Sequence, residues 1–516
     1  MLTLALVTEA AYVFGFLLPY PLAGNYTHPL LDLNRLSGHT PASANYFAVT
    51  WMVCFAALLI AYSRCPRRPT RGYWLVLGGS ALVFNLTLLL MYPTGAADIF
   101  DQIFQARELA VYGKNPLLYA PGSPAFAADP FLAYIGESWK DSPSPYGPVW
   151  QLLTAGTALL AGDDLWRALI FFKGLVVLAY AGTCFGVYAT LRLVRPDWAT
   201  RGLLFVAWNP LLIWEAAGNG HNDIVMALFT VLCFYCLARG GRFLLFAPGV
   251  LALAVLSKYV SLLLLPAVLI AVWQMLRPAA GTPFLPRAPW NRAALTVVIG
   301  LLGFVVVAVL LYIPFWYGFD TIRSLLNRDL FTASLPNSVK DVLAAGPFNL
   351  GEQAARELVH NLSNAIVVVW VVSSMALLLV TTRPGDRDGI LRATFRTTYG
   401  IFFVYLVFGT LWFQPWYQTW IIALTPLTTQ TSRVKRTLVM NAGGVANYFV
   451  WDYLVLWNNS WGNVIQWTSA LSVNMPLLLY TGYQLLVPDP ADSDELAPAL
   501  DEPAPALKEA PAYDTA

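Results

Sequence analysis

Long apolar runs with few or no charges constrain this chain more than any other feature of its sequence. Hydrophobic residues make up 58% of its 516 residues and charged residues only 12%, which is unlike an ordinary soluble protein. Fourteen runs are long enough to cross a bilayer as helices, and they begin near Leu4, Tyr46, Tyr73, Ala168, Arg201, Ile224, Phe243, Tyr259, Ala294, Leu362, Thr397, Trp416, Thr437 and Val464. The sequence therefore predicts an all-α polytopic membrane protein with about 14 transmembrane helices.

One further apolar stretch, GPVWQLLTAGTALLAG from Gly147, is shorter than a comfortable span and ends at Asp163 and Asp164. A helix of this length either re-enters the membrane or lies on its surface. We predict such a re-entrant or surface helix directly after the first large outward loop.

The distribution of Lys and Arg predicts the orientation. With the N-terminus inside and the short helix not spanning, six cytoplasmic loops hold 19 of the 31 Lys and Arg residues, and the opposite loops hold ten. This bias is typical of cytoplasmic loops, so we expect a multi-pass plasma-membrane protein with both termini in the cytoplasm. Residues 1–487 form the predicted transmembrane domain, whose outward loops are residues 93–146 and 318–360. Residues 488–516, rich in Pro, Ala and acid, predict a disordered cytoplasmic tail.

The first outward loop carries acidic residues where a carboxylate is costly without a role or a partner. From Asp98, polar residues recur at helical spacing, which predicts an amphipathic helix at the membrane surface with Asp98 and Asp101 one turn apart. If they have no role in a site, Asp98 is simply the N-cap of this helix, and Asp101 lies on a face of the helix that water covers. Farther along, Trp139 and Tyr146 suit stacking on a sugar, although an interfacial aromatic belt also explains them.

A second polar cluster lies between two apolar runs, in the sequence EAAGNGHND from Glu215 to Asp223. A turn explains Asn219 and Gly220, but His221, Asn222 and Asp223 are residues that bind ligands or move protons. The orientation places this hairpin on the same side as Asp98. On that side we also expect the lone cation Lys258, which either binds a phosphate or snorkels to the membrane surface. An aromatic corner with Gln414, Trp416 and Tyr417 also lies there, and it either serves the site or belongs to an interfacial belt.

Taken in order, the pieces D-I-F, G-K-N-P, A-D-P-F, Trp139, S-P-Y-G-P-V-W, N-P-L, H-N-D, S-K-Y and Q-P-W-Y resemble a known family. They are similar to the polyprenol-phosphate-mannose-dependent α-mannosyltransferases of the GT-C superfamily, above all the actinobacterial enzymes of α-1,6-mannan synthesis in lipomannan. The resemblance covers about residues 98–417. It implies a GT-C-like fold and Asp98 as the catalytic base. Asp101 departs from the family pattern, so it is a possible second carboxylate that shares the role or binds a metal.

A polyprenyl-phosphate sugar is the donor that this resemblance implies, and the longest hydrophilic stretch is too short for a separate nucleotide-binding domain. The phosphate leaves without protonation, so the reaction needs one base and cationic or polar donor contacts. Direct displacement with a single base implies inversion at the sugar carbon. The expected acceptor is a glycolipid or glycan hydroxyl. For the donor phosphate or sugar we predict His221, Asn222, Asp223, Lys258, Arg323, Arg328 and Lys340; for sugar stacking or the acceptor, Trp139, Tyr146, Gln414, Trp416 and Tyr417.

Other functions compete with this hypothesis. A transporter or flippase of lipid-linked or polar solutes also has many spans and intramembrane polar groups, but it usually places them near mid-membrane. A metal-dependent variant would use Asp98, Asp101 and either His221 or Asp223 for Mg²⁺ or Mn²⁺, yet the sequence shows no compact ligand spacing; we therefore assign no cofactor. Basic residues are scattered singly on a chain of net charge +2, so we expect membrane lipid and no nucleic acid as a partner.

Overall fold

The computed structural model describes residues 1–28, 33–38, 40–277, 288–322, 330–345, 348–454, 462–487, 489 and 492. Its regular structure is helical throughout, and the described residues contain isolated β-bridges but no strand. The helices are α1 (Leu2–Tyr12), α2 (Leu22–Asn25), α3 (Leu33–Ser37), α4 (Pro41–Ser63), α5 (Arg71–Leu89), α6 (Asp98–Ala110), α7 (Pro148–Ala161), α8 (Leu165–Val194), α9 (Pro196–Ala207), α10 (Pro210–Ile213), α11 (Asp223–Arg239), α12 (Phe243–Val255), α13 (Leu265–Leu276), α14 (Ala288–Tyr312), α15 (Leu335–Ala345), α16 (Glu352–Thr381), α17 (Arg387–Val404), α18 (Gln418–Leu424), α19 (Thr431–Phe449) and α20 (Gly462–Leu486).

Six helical segments of the described chain are long and apolar enough to cross a membrane: Pro41–Ser63, Arg71–Leu89, Leu165–Val194, Tyr259–Leu276, Asn291–Phe315 and Glu352–Thr381. A seventh is the pair Pro210–Gly218 and Asp223–Arg239, which bends by 119° and counts only if taken as one span. The chain is a helical, multi-pass membrane protein, but the predicted number of fourteen spans is not confirmed. Several apolar runs form shorter helices, among them Leu2–Leu17 and Phe243–Val255.

The predicted short helix is confirmed as α7, which has 14 residues. Its entry is the S-P-Y-G-P-V-W stretch, where Gly147 touches the main chain at the end of α12: a Cβ added to Gly147 would lie 2.1 Å from the carbonyl oxygen of Leu256. The amide of Val149 donates to the same carbonyl at 3.0 Å. Glycine at this position thus permits a close approach of two backbones, which positions α7 against the segment that leads to Lys258.

Helix α6 begins at Asp98 as predicted, but Ala97 is the N-cap, so the N-cap interpretation of Asp98 is wrong. The alternative that Asp101 belongs to a solvated face is also wrong, because the helix is buried against α7 and α8 on nearly all sides. Asp101, Gln102, Gln105 and Glu108 are at most 6% exposed.

Two buried basic side chains fix this region. Lys173 of α8 donates to the carbonyls of Leu88 and Met91 at 3.2 and 2.6 Å, satisfying acceptors at the end of α5. Arg107 of α6 donates to Asp129 of the predicted outward loop at 3.0 Å and to Asp163, after α7, at 2.8 Å. Both side chains belong to residues that are at most 2% exposed. The first outward loop is therefore an ordered part of the fold, held to α6 by the buried ion pair of Arg107 and Asp129.

The second outward loop contains α15 and the start of α16. Arg323 and Arg328 lie outside the described residues, as does the predicted tail apart from residues 489 and 492. The domain boundary at residue 487 and the GT-C-like arrangement stay predictions.

Candidate active site

A cleft opens beside the first two turns of α6, and we call it the α6 cleft. It contains about 360 Å³ of empty space, which includes the space at its open mouth. Its walls are formed by Asp98, Asp101, Gln102, Gln105, Trp139, Ser142, Pro143, Pro145 and Tyr146. Four residues that the sequence predicts for the site therefore share one cavity: Asp98, Asp101, Trp139 and Tyr146. Trp139 also packs edge-on against Trp412, with ring centroids 6.2 Å apart.

The two carboxyl groups of the α6 cleft differ in their electrostatic surroundings. Burial raises the pKa of Asp98, while the positive charges of His221 and Lys258 act in the opposite direction. Burial, together with the charge of Asp98, raises the pKa of Asp101 to about 8. At neutral pH Asp101 is therefore mostly protonated. Of the two, Asp98 has cations near it that favour the ionised form, which a base requires. Burial outweighs their effect, so the pKa of Asp98 stays above its ordinary value.

The polar hairpin, residues 215–223, lies against the start of α6. The amide of Gly95 donates to Asn219 Oδ1 at 3.0 Å, and Gly220, whose φ is +75°, is so close to Ile99 that an added Cβ would lie 2.7 Å from its Cδ1. The sequence prediction that the hairpin and Asp98 share one side of the molecule is thus confirmed.

Glu215 organises the interior of the hairpin. Its carboxylate, 1% exposed, accepts hydrogen bonds from Asn219 Nδ2 at 3.0 Å and Tyr448 Oη at 2.8 Å, and pairs with His221 Nδ1 at 2.9 Å. The imidazole of His221 stacks on Trp416, with ring centroids 4.1 Å apart and planes 14° apart. These contacts fix the ring and place the proton on Nδ1. His221 Nε2 is buried and has no hydrogen-bond partner among the described residues.

Lys258 is not a lone cation, and that sequence interpretation is wrong. Its ammonium lies 2.7 Å from Asp223 Oδ1 and over the rings of Tyr417 and Trp420, at 4.2 and 5.2 Å from their centroids. Trp420 also donates its indole N–H to the same carboxylate oxygen. Asp223 is therefore a partner for Lys258, and the charge of the pair is largely neutralised inside the site.

The remaining predicted residues are dispersed. Asn222 is buried at the start of α11, where its Nδ2 lacks a partner in the described structure. Lys340 contacts Asp341 and Glu352 at 2.7 and 2.9 Å, in an ion-pair cluster at the α15–α16 junction. Gln414 is half-buried before the turn Pro415–Tyr417. Trp416 and Tyr417 pack in the polar cluster, so an interfacial belt does not describe them.

No group of three or more His, Cys, Asp or Glu side chains is arranged to hold a metal in the part of the chain that the structure describes. The assignment of no cofactor stays a prediction, with the metal-dependent variant as its alternative.

Sequence reasoning missed the residues that hold the site from a distance. Tyr448 and Trp420 reach Glu215 and Asp223 across more than 190 positions, and no local pattern connects them. The available signal was Glu215 itself, because an acid in an apolar stretch of sequence indicates a partner or a function. Gln102 and Gln105 were visible only as part of the polar face of α6.

Residues 2–274 match the family described as "Alpha-(1->6)-mannopyranosyltransferase, N-terminal domain", which is more than half of the chain. The chain belongs to this family. The resemblance found in the sequence is confirmed. The matched residues contain Asp98, the polar hairpin and Lys258, whereas Trp416, Trp420 and Tyr448 lie beyond them.

Individual relatives match shorter parts of this chain, each at less than 30% identity. A probable alpha-(1->6)-mannopyranosyltransferase of Mycolicibacterium smegmatis is 27% identical over 189 residues, 36% of this chain and 32% of the relative. An alpha-(1->6)-mannopyranosyltransferase of Mycobacterium tuberculosis is 29% identical over 146 residues, 28% of this chain and 24% of the relative. Alpha-(1->6)-mannopyranosyltransferase B of Corynebacterium glutamicum is 22% identical over 214 residues, 40% and 34% of the two chains. The matches thus span about a third or less of each relative's length.

Proposed function

We propose that this protein is an inverting glycosyltransferase that moves mannose from a polyprenyl-phosphate carrier to a hydroxyl of a glycolipid or glycan, on the outer face of the membrane. The observation that carries the proposal is the position of Asp98: it lies in an open cleft, next to a buried acid and within the field of His221 and Lys258. Membership of the mannosyltransferase family supports the sugar, and the long apolar helices suit a lipid-borne donor.

In the proposed reaction Asp98 accepts the proton of the acceptor hydroxyl while the hydroxyl oxygen attacks the anomeric carbon of mannose. The bond between that carbon and the phosphate oxygen breaks, and polyprenyl phosphate leaves with the bonding electron pair. One new carbon–oxygen bond replaces one old bond on the opposite face, so a β-linked donor gives an α-linked product. The net result is a mannoside, polyprenyl phosphate and one proton, which Asp98 later releases to solvent.

His221 is the phosphate-binding group that the geometry favours. Its Nδ1 is committed to Glu215, while Nε2 is unpartnered among the described residues. In the imidazolium form Nε2–H donates to the leaving phosphate, and Glu215 stabilises that positive charge. The outer-face location is supported by the Arg-rich loops on the opposite side.

Transfer from polyprenyl-phosphate mannose to a mannoside by the purified protein is the test, with polyprenyl-phosphate glucose as the competing donor. Asp98→Asn is expected to lower the rate by about 10² to 10⁴, the usual contribution of a general base. Asp388→Asn, at an exposed position of α17, is the matched control and should keep the wild-type rate. Normal transfer by Asp98→Asn would refute the assignment of the base. Saturable solute transport without transfer would favour the transporter.

A further inference from the structure

The α6 cleft has one polar wall, and this wall is a single face of α6. Asp101 and Gln102 each lie three or four residues from both Asp98 and Gln105, so the four side chains share one face of the helix. All four line the cleft. The distance from Asp98 to Gln105 along the helix axis is about 10 Å, at 1.5 Å per residue.

Three oxygens of this wall lack hydrogen-bond donors. Asp101 Oδ1, Gln102 Oε1 and Gln105 Oε1 are buried and unpartnered among the described residues, although the side chains that carry them are at most 6% exposed. Buried polar atoms are normally satisfied, so three unpartnered ones on residues that line a cavity indicate a missing ligand with hydrogen-bonding groups. The two glutamine oxygens accept hydrogen bonds, whereas the protonated Asp101 carboxyl can also donate one. Hydroxyl groups at regular intervals supply such donors.

The rest of the lining has a different chemistry. Trp139, Tyr146 and Pro145 also line the cleft, and the apolar surfaces of their rings suit the C–H faces of a pyranose. A lining that combines unpartnered polar atoms with such rings matches a saccharide, which has both kinds of surface. A prenyl chain would leave the polar wall unsatisfied.

We propose that the α6 cleft binds the acceptor saccharide, with Gln102 and Gln105 as its hydroxyl-recognising residues. The attacking hydroxyl lies at Asp98, Gln102 contacts the terminal sugar, and the next sugar extends along α6 to Gln105. This proposal rests on the proposed function and adds the acceptor class and its direction. It also predicts that the site distinguishes acceptors by length, because Gln105 lies two helical turns from the reacting end.

The test compares Gln105→Met with wild type on two acceptors, methyl α-mannoside and α-1,6-linked mannotriose. Loss of one uncharged hydrogen bond should raise KM for mannotriose by about 2- to 12-fold and leave KM for methyl α-mannoside and for the donor unchanged. Gln102→Met should raise KM for both acceptors. Gln353→Met, at an exposed position of α16, is the matched control. Thermal unfolding of every variant checks folding, and Gln105→Asn, which keeps an acceptor oxygen, provides a milder second variant.

The results separate this proposal from the proposed function. Equal KM values of wild type and Gln105→Met for mannotriose, or a raised KM for the donor instead, would overturn the assignment of the acceptor site. If wild type transfers no sugar, the proposed function fails, and saturation-transfer NMR with mannotriose then tests the cleft directly. Binding that weakens in Gln105→Met supports the saccharide site, and unchanged or absent binding refutes it.

Discussion

Replacing Lys258 by Met tests the inference that Asp223 and Lys258 form a buried pair. The substitution keeps the length of the side chain and removes its charge. The Asp223 side chain is 1% exposed and that of Lys258 is 17% exposed, so the carboxylate would lose its cation in a place that water hardly reaches. Only the indole N–H of Trp420 would still donate to its Oδ1 oxygen.

The expected loss is about 3 kcal/mol in the free energy of unfolding, at the lower end of the range for breaking a buried ion pair, because Lys258 is partly exposed and Trp420 remains. The double variant Asp223→Asn, Lys258→Met should recover most of this loss, since an uncharged amide can still accept from Trp420. The double-mutant cycle is thus expected to give a coupling energy of about 2 kcal/mol.

Unfolding in mixed micelles with increasing SDS, followed by tryptophan fluorescence, measures these free energies. Lys140→Met is the matched control, because Lys140 pairs with Glu137, whose side chain is 85% exposed, and surface pairs contribute about 1 kcal/mol or less. The reasoning is refuted if Lys258→Met costs no more than Lys140→Met. It is equally refuted if the double variant loses the sum of the two single losses.

Two further predictions concern α6 and its neighbour. Burial raises the pKa of Glu108 to about 9, against about 4.3 in an unfolded chain; between these values only the folded protein holds the proton, so the free energy of unfolding falls as pH rises from about 4.5 to 9. Glu108→Gln should weaken this pH dependence, measured as the unfolding midpoint at each pH. Asp101→Asn is measured alongside, because Asp101 acts in the same direction. Identical pH profiles for wild type and Glu108→Gln would contradict the burial argument. Gly147→Ala should lower the unfolding midpoint and abolish transfer, because its Cβ meets the backbone at Leu256, whereas Gly156→Ala, with open space around it on α7, should be neutral or slightly stabilising; equal midpoints for the two alanine variants would show that the close approach is unimportant.

The sequence predicted features that depend on local pattern. The start of α6, the short helix α7 and the grouping of His221 with Asp98 all follow from spacing and from the charge bias of the loops. Burial of the polar face of α6 does not, because it depends on partners such as Asp129 and Asp163, which are brought to Arg107 by the fold.

The number of spans shows a second limit. Hydropathy identifies apolar residues but not where a helix breaks, and prolines divide several runs. The run near Arg201 ends before Pro210, where a new helix begins, and the run near Trp416 gives the short α18 and then a turn at Pro426. The pairing of Lys258 with Asp223 could not be predicted for a related reason. The sequence groups Asp223 with its neighbours in the hairpin, whereas its partners Lys258 and Trp420 come from other parts of the chain.

The reacting groups and the side chains that hold them come from different parts of the chain. Residues 2–274 carry Asp98, Glu215 and Asp223, whereas Tyr448 and Trp420 satisfy the two carboxylates of the hairpin from the other half. A fragment cut after residue 274 would take one donor from each of these acids, while Glu215 would keep Asn219 and His221, and Asp223 would keep Lys258. Residues 2–274 thus carry the reacting groups but depend on the rest of the chain to hold them. A substitution at Tyr448 or Trp420 would therefore disturb the site from outside the matched residues.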